Sequence, residues 1–205
     1  KGKLQPKLSY SLGMGAEHTA IGISPSGHAA VSNSYTKLLP SISFVQQLAR
    51  LSTVRASYMA SLRRIPVAML NPTPIILDSL NYGAGNPSLK PYLRHRVAVG
   101  YAYSSGAFYV SPQLTCSVEP HRVVQVGGLM PGIGTYRYSY APVASYKHFS
   151  AEVAVKWSIT DSWELNGTLA WAYAQFANSQ SQQKRSHSYP SYDFSTSYYF
   201  GTLSI

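Results

Sequence analysis

Residues 147–176 read KHFSAEVAVKWSITDSWELNGTLAWAYAQF, a stretch in which apolar side chains alternate with polar or small ones. Apolar residues hold every second position in most of each half: Val153, Val155, Trp157 and Ile159, then Trp163, Leu165, Leu169, Trp171 and Tyr173. A period of two residues is the spacing of a β-strand, and helical spacing fails here. The stretch predicts strands at 147–158 and 162–176, joined by a tight turn at 159–161.

The same alternation recurs along the rest of the chain. It predicts six further strands, at 8–23, 36–46, 51–63, 92–104, 107–119 and 190–201. All eight of these strands reach ten residues or more, whereas strands of globular proteins average about five or six residues. A tilted strand that crosses a bilayer needs about 9–11 residues. Strand length therefore favours a transmembrane barrel.

The connections between the predicted strands have two lengths. Short turns at 47–50, 105–106 and 159–161 alternate with long loops at 24–35, 64–91, 120–146 and 177–189. Outer-membrane barrels show this rhythm, with tight periplasmic turns, long outward loops, apolar residues facing lipid and small or polar ones facing the lumen. The sequence predicts an all-β chain, either an antiparallel up-and-down transmembrane β-barrel or a segment of one. Its lumen face would carry Ser, Gly, Ala, Asn and Thr.

Aromatic residues gather near the predicted strand ends, as they do in the girdles of membrane barrels. The residues concerned are Trp157, Trp163, Phe108, Tyr109, Tyr189 and Tyr192. A soluble β-sandwich also alternates and places aromatic residues in its core, so it remains an alternative. It accounts less well for the long strands and the unequal loops.

The chain is basic, with 17 Lys and Arg against 7 Asp and Glu and a formal net charge of +10. It contains no block of five or six basic residues, so we do not expect it to bind nucleic acid. Basic loop residues could instead contact lipopolysaccharide phosphates or an anionic ligand, because Lys and Arg pair well with such groups. The candidates are Arg122, Arg137, Lys147, Lys184 and Arg185. The alternative is that they only keep exposed loops soluble.

Catalytic and metal-binding patterns are sparse. No two of the seven carboxylates are spaced to lie side by side on a strand face, and no two of the six histidines have metal-ligand spacing. The glycine-rich patch at 127–134 lacks the strand-to-helix context of a phosphate-binding loop, and we expect an outer loop there. The single cysteine, Cys116, excludes an internal disulfide and suits a small apolar strand position. We expect neither enzymatic activity nor a cofactor.

Three proline motifs mark the segment 64–91. Arg64-Ile65-Pro66 is followed by Leu70-Asn71-Pro72 and then by GNPSLKP at 85–91, directly ahead of an alternating strand. The set resembles the C-terminal barrel of TonB-dependent outer-membrane receptors, especially the Bacteroidetes outer-membrane β-barrel family. That family's pattern is Arg-x-Pro, Leu-Asn-Pro and Gly-Asn-Pro-x-Leu-Lys-Pro-Glu before a strand. Tyr92 stands here where the family has its final acidic residue.

The resemblance extends through most of the chain in order. LGMGAEHT at 12–19 is similar to the family's strand ending in Tyr-Glu-His/Tyr-Thr, and LLPSIS at 38–43 to its Phe-Pro-Ser-Leu-Ser. Residues 146–157 and WELNG at 163–167 match the later hairpin.

The motif also suits a structural role, in which its residues direct the long loop into the following strand. The residues concerned are Leu70, Asn71, Pro72, Gly85, Asn86, Pro87, Leu89, Lys90 and Pro91. Pro87 and Pro91 fix two backbone dihedrals, and Gly85 would permit a positive φ where the long loop re-enters the wall.

The resemblance implies a Gram-negative outer-membrane receptor that takes up a nutrient ligand, whether a small molecule, glycan or peptide, through its outer loops and lumen. A TonB-type energy protein would act through a plug domain, and outer-membrane lipid and lipopolysaccharide would surround the wall. Complete receptors of this kind have about 22 strands around a plug. We therefore expect residues 1–205 to be a single barrel region of a larger barrel, without a plug domain. The alternative is a self-contained eight-stranded barrel acting as an adhesin or structural anchor.

Overall fold

The computed structural model describes residues 8–24, 31–130, 134–177 and 184–200. Strands make up most of this part of the chain. In chain order the elements are β1 (Leu8–Ile23), β2 (Val31–Ala49), β3 (Ser52–Arg63), helix α1 (Val67–Leu70), β4 (Ile75–Ile76), β5 (Asn81–Gly83), β6 (Tyr92–Ser104), β7 (Phe108–Pro120), β8 (Val123–Leu129), β9 (Tyr136–Pro142), β10 (Ser145–Thr160), β11 (Trp163–Ala177) and β12 (Lys184–Tyr198). No helix among the described residues is long and apolar enough to cross a bilayer.

Eight long strands form one antiparallel sheet in the order β1-β2-β3-β6-β7-β10-β11-β12. Each of these strands has 12 to 19 residues. Neighbours in the sheet are also neighbours along the chain once the loop elements are set aside, which is the up-and-down arrangement. The prediction of eight long antiparallel strands is confirmed. The strands lie in one sheet rather than in two stacked ones, as in a barrel wall and not in a sandwich.

The sheet is open in the described part of the chain, because β1 and β12 are not paired with each other there. Tight turns join β2 to β3, β6 to β7 and β10 to β11, close to the three predicted positions. Gly106 adopts a positive φ of 78° in the second of these turns, a conformation that glycine reaches without a steric penalty. The long connections all leave from the opposite end of the sheet.

Two strands begin earlier than the sequence predicts. β2 starts at Val31 and β12 at Lys184, so much of the predicted loops 24–35 and 177–189 is strand. The rest of these loops, residues 25–30 and 178–183, lies outside the described residues. The early segments are rich in Ser, Asn and His and resemble loops in composition. They pair nevertheless with β1 and β11, because a β-ladder is built from backbone groups.

The two other long loops contain a second sheet that the sequence did not reveal. Its order is β4-β5-β9-β8, and β5 and β9 pair in parallel. Gly127 and Gly128, expected in an outer loop, lie within β8, whereas Gly132 and Ile133 lie outside the described residues. A parallel pairing between residues about 55 positions apart leaves no local pattern, which explains why it was missed.

The strand registers give the main sheet two distinct faces. The apolar face carries large exposed side chains on seven of the eight strands, all but β3, including Leu12, Phe44, Val99, Leu114, Val153, Leu169 and Phe194. On β7 these apolar residues run from Phe108 to Val118, ten residue steps. Ten steps span about 33 Å along the strand, or about 25 Å when the strand is tilted by about 40°. This height matches the apolar band of an outer-membrane barrel.

Candidate functional site

The loops at 64–91 and 121–144 pack together into one unit at one end of the main sheet, which we call the cap. Their backbones hydrogen-bond directly, since Tyr136 N donates to Leu80 O at 2.7 Å and Ala84 N donates to Tyr138 O at 3.0 Å. The parallel pairing of β5 with β9 continues this contact. The cap therefore holds two loops in a fixed relation above the polar face.

The two halves of the proline motif meet within the cap. Gly85 N donates to Asn71 O at 2.8 Å, and Asn86 N donates to Met69 O at 2.7 Å. A Cβ on Gly85 would lie 2.5 Å from Asn71 O and 2.7 Å from Met69 O. The expectation of a positive φ at Gly85 is wrong, because the described glycines with positive φ do not include it. Glycine is needed there for the close approach of two backbone segments.

A small apolar core lies beneath this junction. Ile65, Leu70 and Leu89 are each at most 6% exposed, and they pack against Ile21, Met69, Tyr92, Val123 and Tyr140. Asn86 ties the segment to β9, because its Nδ2 donates to Tyr140 O at 3.0 Å. The other motif residues surround the core, Pro91 buried, Pro72 and Pro87 half-buried and Lys90 exposed.

A buried carboxylate, that of Glu119, connects neighbouring strands of the wall where the cap begins. Glu119 is 1% exposed and accepts a hydrogen bond from Arg94 Nε, while Arg122 Nη1 lies 3.7 Å from its other oxygen. The Arg122 guanidinium also lies 4.1 Å from the centroid of the Tyr146 ring. The cluster links β6, β7 and β10 just below His121, a non-glycine residue with a positive φ of 58°. It stabilises the bend at which β7 gives way to β8.

The polar face carries short side chains in its middle. One row across the sheet reads Ser11, Ser43, Ser57, Ala98, Thr115, Ser150 and Ala172 in seven successive strands. Two adjoining cavities of about 320 and 360 Å³ lie over this row and share Ser57, Ala98 and Gln113. Arg55 lines the first cavity and Arg96 the second. We call this surface the polar groove.

The sequence prediction for the lumen face left out the two arginines of the polar groove. They were in fact visible, because Arg55 and Arg96 hold positions on the polar side of the alternation in β3 and β6. Arg96 Nη2 donates to Thr115 Oγ1 at 3.5 Å. The groove combines hydroxyl groups, one amide and two guanidinium groups, which together suit an oxygen-rich ligand.

The five basic residues proposed as anion contacts do not form one site. Arg122 is engaged by Glu119, and Arg137 lies in β9 of the cap. Lys147 and Lys184 lie on the apolar face near the cap end of β10 and β12. Arg185 is the next residue along β12 and lies on the opposite face.

The described residues contain no group of three or more His, Cys, Asp or Glu side chains able to hold a metal ion. Cys116 is free and exposed in β7, at a position on the apolar face. His18 and His95 each contact a hydroxyl group, of Thr36 and Tyr58 respectively, at 2.9 Å.

Three solved structures share the fold. The siderophore receptor PirA from Pseudomonas aeruginosa is 13% identical, with a TM-score of 0.59 over 95% of this chain and 42% of that chain. The copper transporter OprC is 13% identical, with a TM-score of 0.65 over 90% of this chain and 28% of that chain. A mutant of the ferric enterobactin receptor PfeA from Pseudomonas aeruginosa, in complex with enterobactin, is 12% identical, with a TM-score of 0.51 over 96% of this chain and 36% of that chain. The chain thus spans less than half the length of these proteins. A comparison with curated protein sequences finds no match.

The family assignment rests on a match over nearly the whole chain. The outer membrane protein beta-barrel family matches residues 1–204. This match confirms the resemblance drawn from the proline motifs and agrees with the apolar band of the wall. It places the protein in the cell outer membrane. The chain belongs to the outer membrane protein beta-barrel family.

Proposed function

We propose that this chain forms part of the barrel wall of a TonB-dependent receptor that takes up a nutrient ligand. The observation that carries the proposal is the polar groove, which is lined by short polar side chains and two arginines on the lumen side of the wall. The cap, with its two paired loops, stands at the mouth of this lumen. A recessed polar wall below a structured outer loop suits the capture and passage of a solute.

The open sheet supports a place within a larger barrel. The edge strands β1 and β12 have 16 and 15 residues, and each would present a row of unpaired backbone groups to lipid. Such groups cost several kcal/mol each in hydrocarbon unless another strand pairs with them. Additional strands of the same receptor would satisfy both edges.

The energy source would be a TonB-type protein acting through a plug domain in another part of the receptor. The ligand would be a small molecule, glycan or peptide. The proteins with a similar fold are named as a siderophore receptor and a copper transporter. The polar groove favours an oxygen-rich ligand, because its two guanidinium groups and its hydroxyls can all donate hydrogen bonds.

A fractionation experiment tests the larger barrel. An antibody against residues 64–91 is used on outer membranes run both boiled and unboiled. We expect a heat-modifiable band whose apparent mass is several times that of a 205-residue chain. A heat-modifiable band at the size of 205 residues would instead favour the self-contained barrel that acts as an adhesin or anchor.

A growth experiment tests uptake. A strain lacking the gene is complemented with the wild type, with Ala98→Trp in the polar groove, or with Ala170→Trp on the same face of β11 as a control. The strains are grown on a panel of scarce iron, copper, glycan and peptide sources. We expect the Ala98→Trp strain, and a strain lacking the energy protein, to fail on the same source as the deletion strain, while the control grows. Growth of all strains on every source would contradict the proposal.

A further inference from the structure

The cap sheet has one long strand without a second neighbour. Its order is β4-β5-β9-β8, so β4 and β8 are its edges. β4 has only two residues, whereas β8 has seven. Among the described residues, no strand or helix other than β9 lies along β8. Residues 125–129 of β8 are all exposed, and we call their unpaired side the open edge.

The ladder between β8 and β9 determines which backbone groups point to the open edge. Just before β8, Val143 N donates to Arg122 O at 2.8 Å, and just after it Met130 N donates to Thr135 O at 2.9 Å. Because antiparallel partners alternate between bonded and non-bonded pairs, the even-numbered residues of β8 bond to β9. The amide and carbonyl groups of the odd-numbered residues therefore point to the open edge, at intervals of about 7 Å. In the exposed part of β8 these residues are Gln125, Gly127 and Leu129.

The composition of β8 leaves the open edge accessible. Natural sheets protect exposed edges with charged side chains, proline, a bulge or a very short strand. β8 reads VVQVGGL, without a charged residue or a proline, and its register with β9 runs without a shift. The other edge, β4, is protected by its shortness. An accessible strand edge of this kind is the template to which an extended peptide adds as a further strand.

One face of the sheet beside the open edge is apolar. The ring of Tyr136 lies over Gly127, because a Cβ on Gly127 would be 2.5 Å from Cε1 of that ring. Leu129, the register partner of Tyr136, lies on the same face and is 66% exposed. An added strand would therefore meet an aromatic and an aliphatic surface with every second side chain.

The opposite face presents a cation behind a gap. Arg137 in β9 is the register partner of Gly128, is exposed and forms no ion pair within the described part of the chain. A Cβ on Gly128 would meet nothing within 4 Å, so the space between Arg137 and the open edge is free. An added strand would lie about 10 Å from β9, a distance that an arginine and a glutamate side chain span together. An acidic residue opposite Gly128 can therefore pair with Arg137.

We propose that β8 binds an extended acidic peptide, which adds to the cap sheet as an antiparallel strand. Apolar residues of the peptide lie opposite Gln125, Gly127 and Leu129 and exchange backbone hydrogen bonds with them. Acidic residues alternate with the apolar ones, and one of them lies opposite Gly128. Donors and acceptors that repeat at the spacing of a strand match a polypeptide backbone better than a glycan. The inference rests on the proposed uptake and deepens it, because peptide is one of the three ligand classes named there.

The test measures binding to the intact protein purified in detergent. The probe is the labelled peptide Val-Glu-Tyr-Glu-Val-Glu, capped at both ends, and fluorescence anisotropy gives its affinity. One derivative carries N-methyl groups on its three apolar residues, whose amides would point to β8. The matched derivative carries them on its three glutamates, whose amides would point away. Both derivatives are used with the wild type, so this comparison does not depend on the folding of a variant.

Three variants of the protein complete the test. Gln125→Pro removes one amide from the open edge and leaves the ladder to β9 intact. Gln125→Ala is its matched control, because it removes the same side chain and keeps the amide. Arg137→Gln removes the cation, and a probe with glutamine in place of glutamate shows whether charge is responsible. A heat-modifiable band on an unboiled gel verifies that each variant forms its barrel.

We expect N-methylation of the apolar residues to weaken binding at least about tenfold, because three backbone hydrogen bonds are lost, and N-methylation of the glutamates to change it by less than about twofold. Gln125→Pro should weaken binding at least about fivefold and Gln125→Ala by less than about twofold. Arg137→Gln should weaken binding of the acidic probe about threefold and leave that of the glutamine probe unchanged.

Equal affinities of the two methylated peptides would show that side chains alone make the contact and would overturn the proposal. Dimers of the wild type that Gln125→Pro abolishes would assign the open edge to a second copy of the chain and would also overturn it. These measurements involve neither growth nor transport. Failure of the proposed uptake would therefore appear in the growth experiment and not here.

Discussion

Replacing Gly85 by alanine tests the junction that joins the proline motif to the rest of the cap. The added Cβ would lie 2.5 Å from Asn71 O, 2.7 Å from Met69 O and 2.8 Å from Asn71 N. All three are backbone atoms, so no side chain can rotate away to make room. The two segments must separate, and the backbone hydrogen bonds from Gly85 and Asn86 must lengthen or break.

The size of the effect follows from these contacts. Two backbone hydrogen bonds contribute about 1 kcal/mol each, and forcing an extra carbon into a packed site costs about 1–3 kcal/mol. Because the segments relax in part, we expect the free energy of opening the cap to fall by about 3 kcal/mol. Every 1.4 kcal/mol is about tenfold in an equilibrium constant, so the open population should rise by about 100-fold.

Hydrogen exchange on the intact protein in detergent measures this population at the amide of Asn86. Gly128→Ala is the matched control, because Gly128 lies in the same cap sheet and a Cβ there meets nothing within 4 Å. Exchange at Asn86 should accelerate by about 100-fold in the Gly85 variant and stay unchanged in the control. Equal exchange rates in the two variants would refute the close-approach argument.

Three further predictions concern the wall and the cap. Leu169→Arg places a charge in the middle of the apolar face and should destabilise the folded wall by about 2–4 kcal/mol. The measurement is loss of the heat-modifiable band. The control, Ala170→Arg, lies on the polar face and should assemble normally. Glu119→Gln should lower the free energy of unfolding by about 3 kcal/mol in thermal melts. Breaking a buried ion pair costs about 3–5 kcal/mol, and the lower value applies here because Arg94 and Arg122 are about one-third exposed. Hydrogen bonds from Asn81 and the Leu80 amide hold the pKa of Asp78 below its usual 3.8, so the protection of this turn against amide exchange, relative to the intrinsic rate, should be full above that value and should fall as the pH drops below it. Asp78→Asn should abolish the pH dependence.

The wall could be predicted from the sequence because its signal is local. Apolar residues at every second position in β6, β7, β10 and β11 also determine which face each side chain occupies. Short turns between consecutive strands leave antiparallel pairing as the only simple arrangement. The predicted strands therefore agree with the observed ones to within a few residues, except where polar segments extend β2 and β12.

The cap could not be predicted in the same way, because long-range contacts hold it together. Pairing of β5 with β9 depends on two loops meeting in space, and each contributes only three residues to the ladder. The role of Gly85 depends on a carbonyl 14 positions earlier in the chain. The proline motif indicated that this loop has a defined course, but no pattern in the sequence indicated its partner.

The wall and the cap are stabilised by different forces, and this difference bears on function. In the wall, large apolar side chains face outward and burial in lipid replaces a protein core, so backbone hydrogen bonds between long strands hold the sheet together. In the cap, Ile65, Leu70 and Leu89 form a core of the water-soluble kind. A substitution on the outer surface of the cap therefore leaves the ladder of the wall intact. In the proposed receptor, the outer surface of the cap can therefore vary while the barrel wall keeps its geometry.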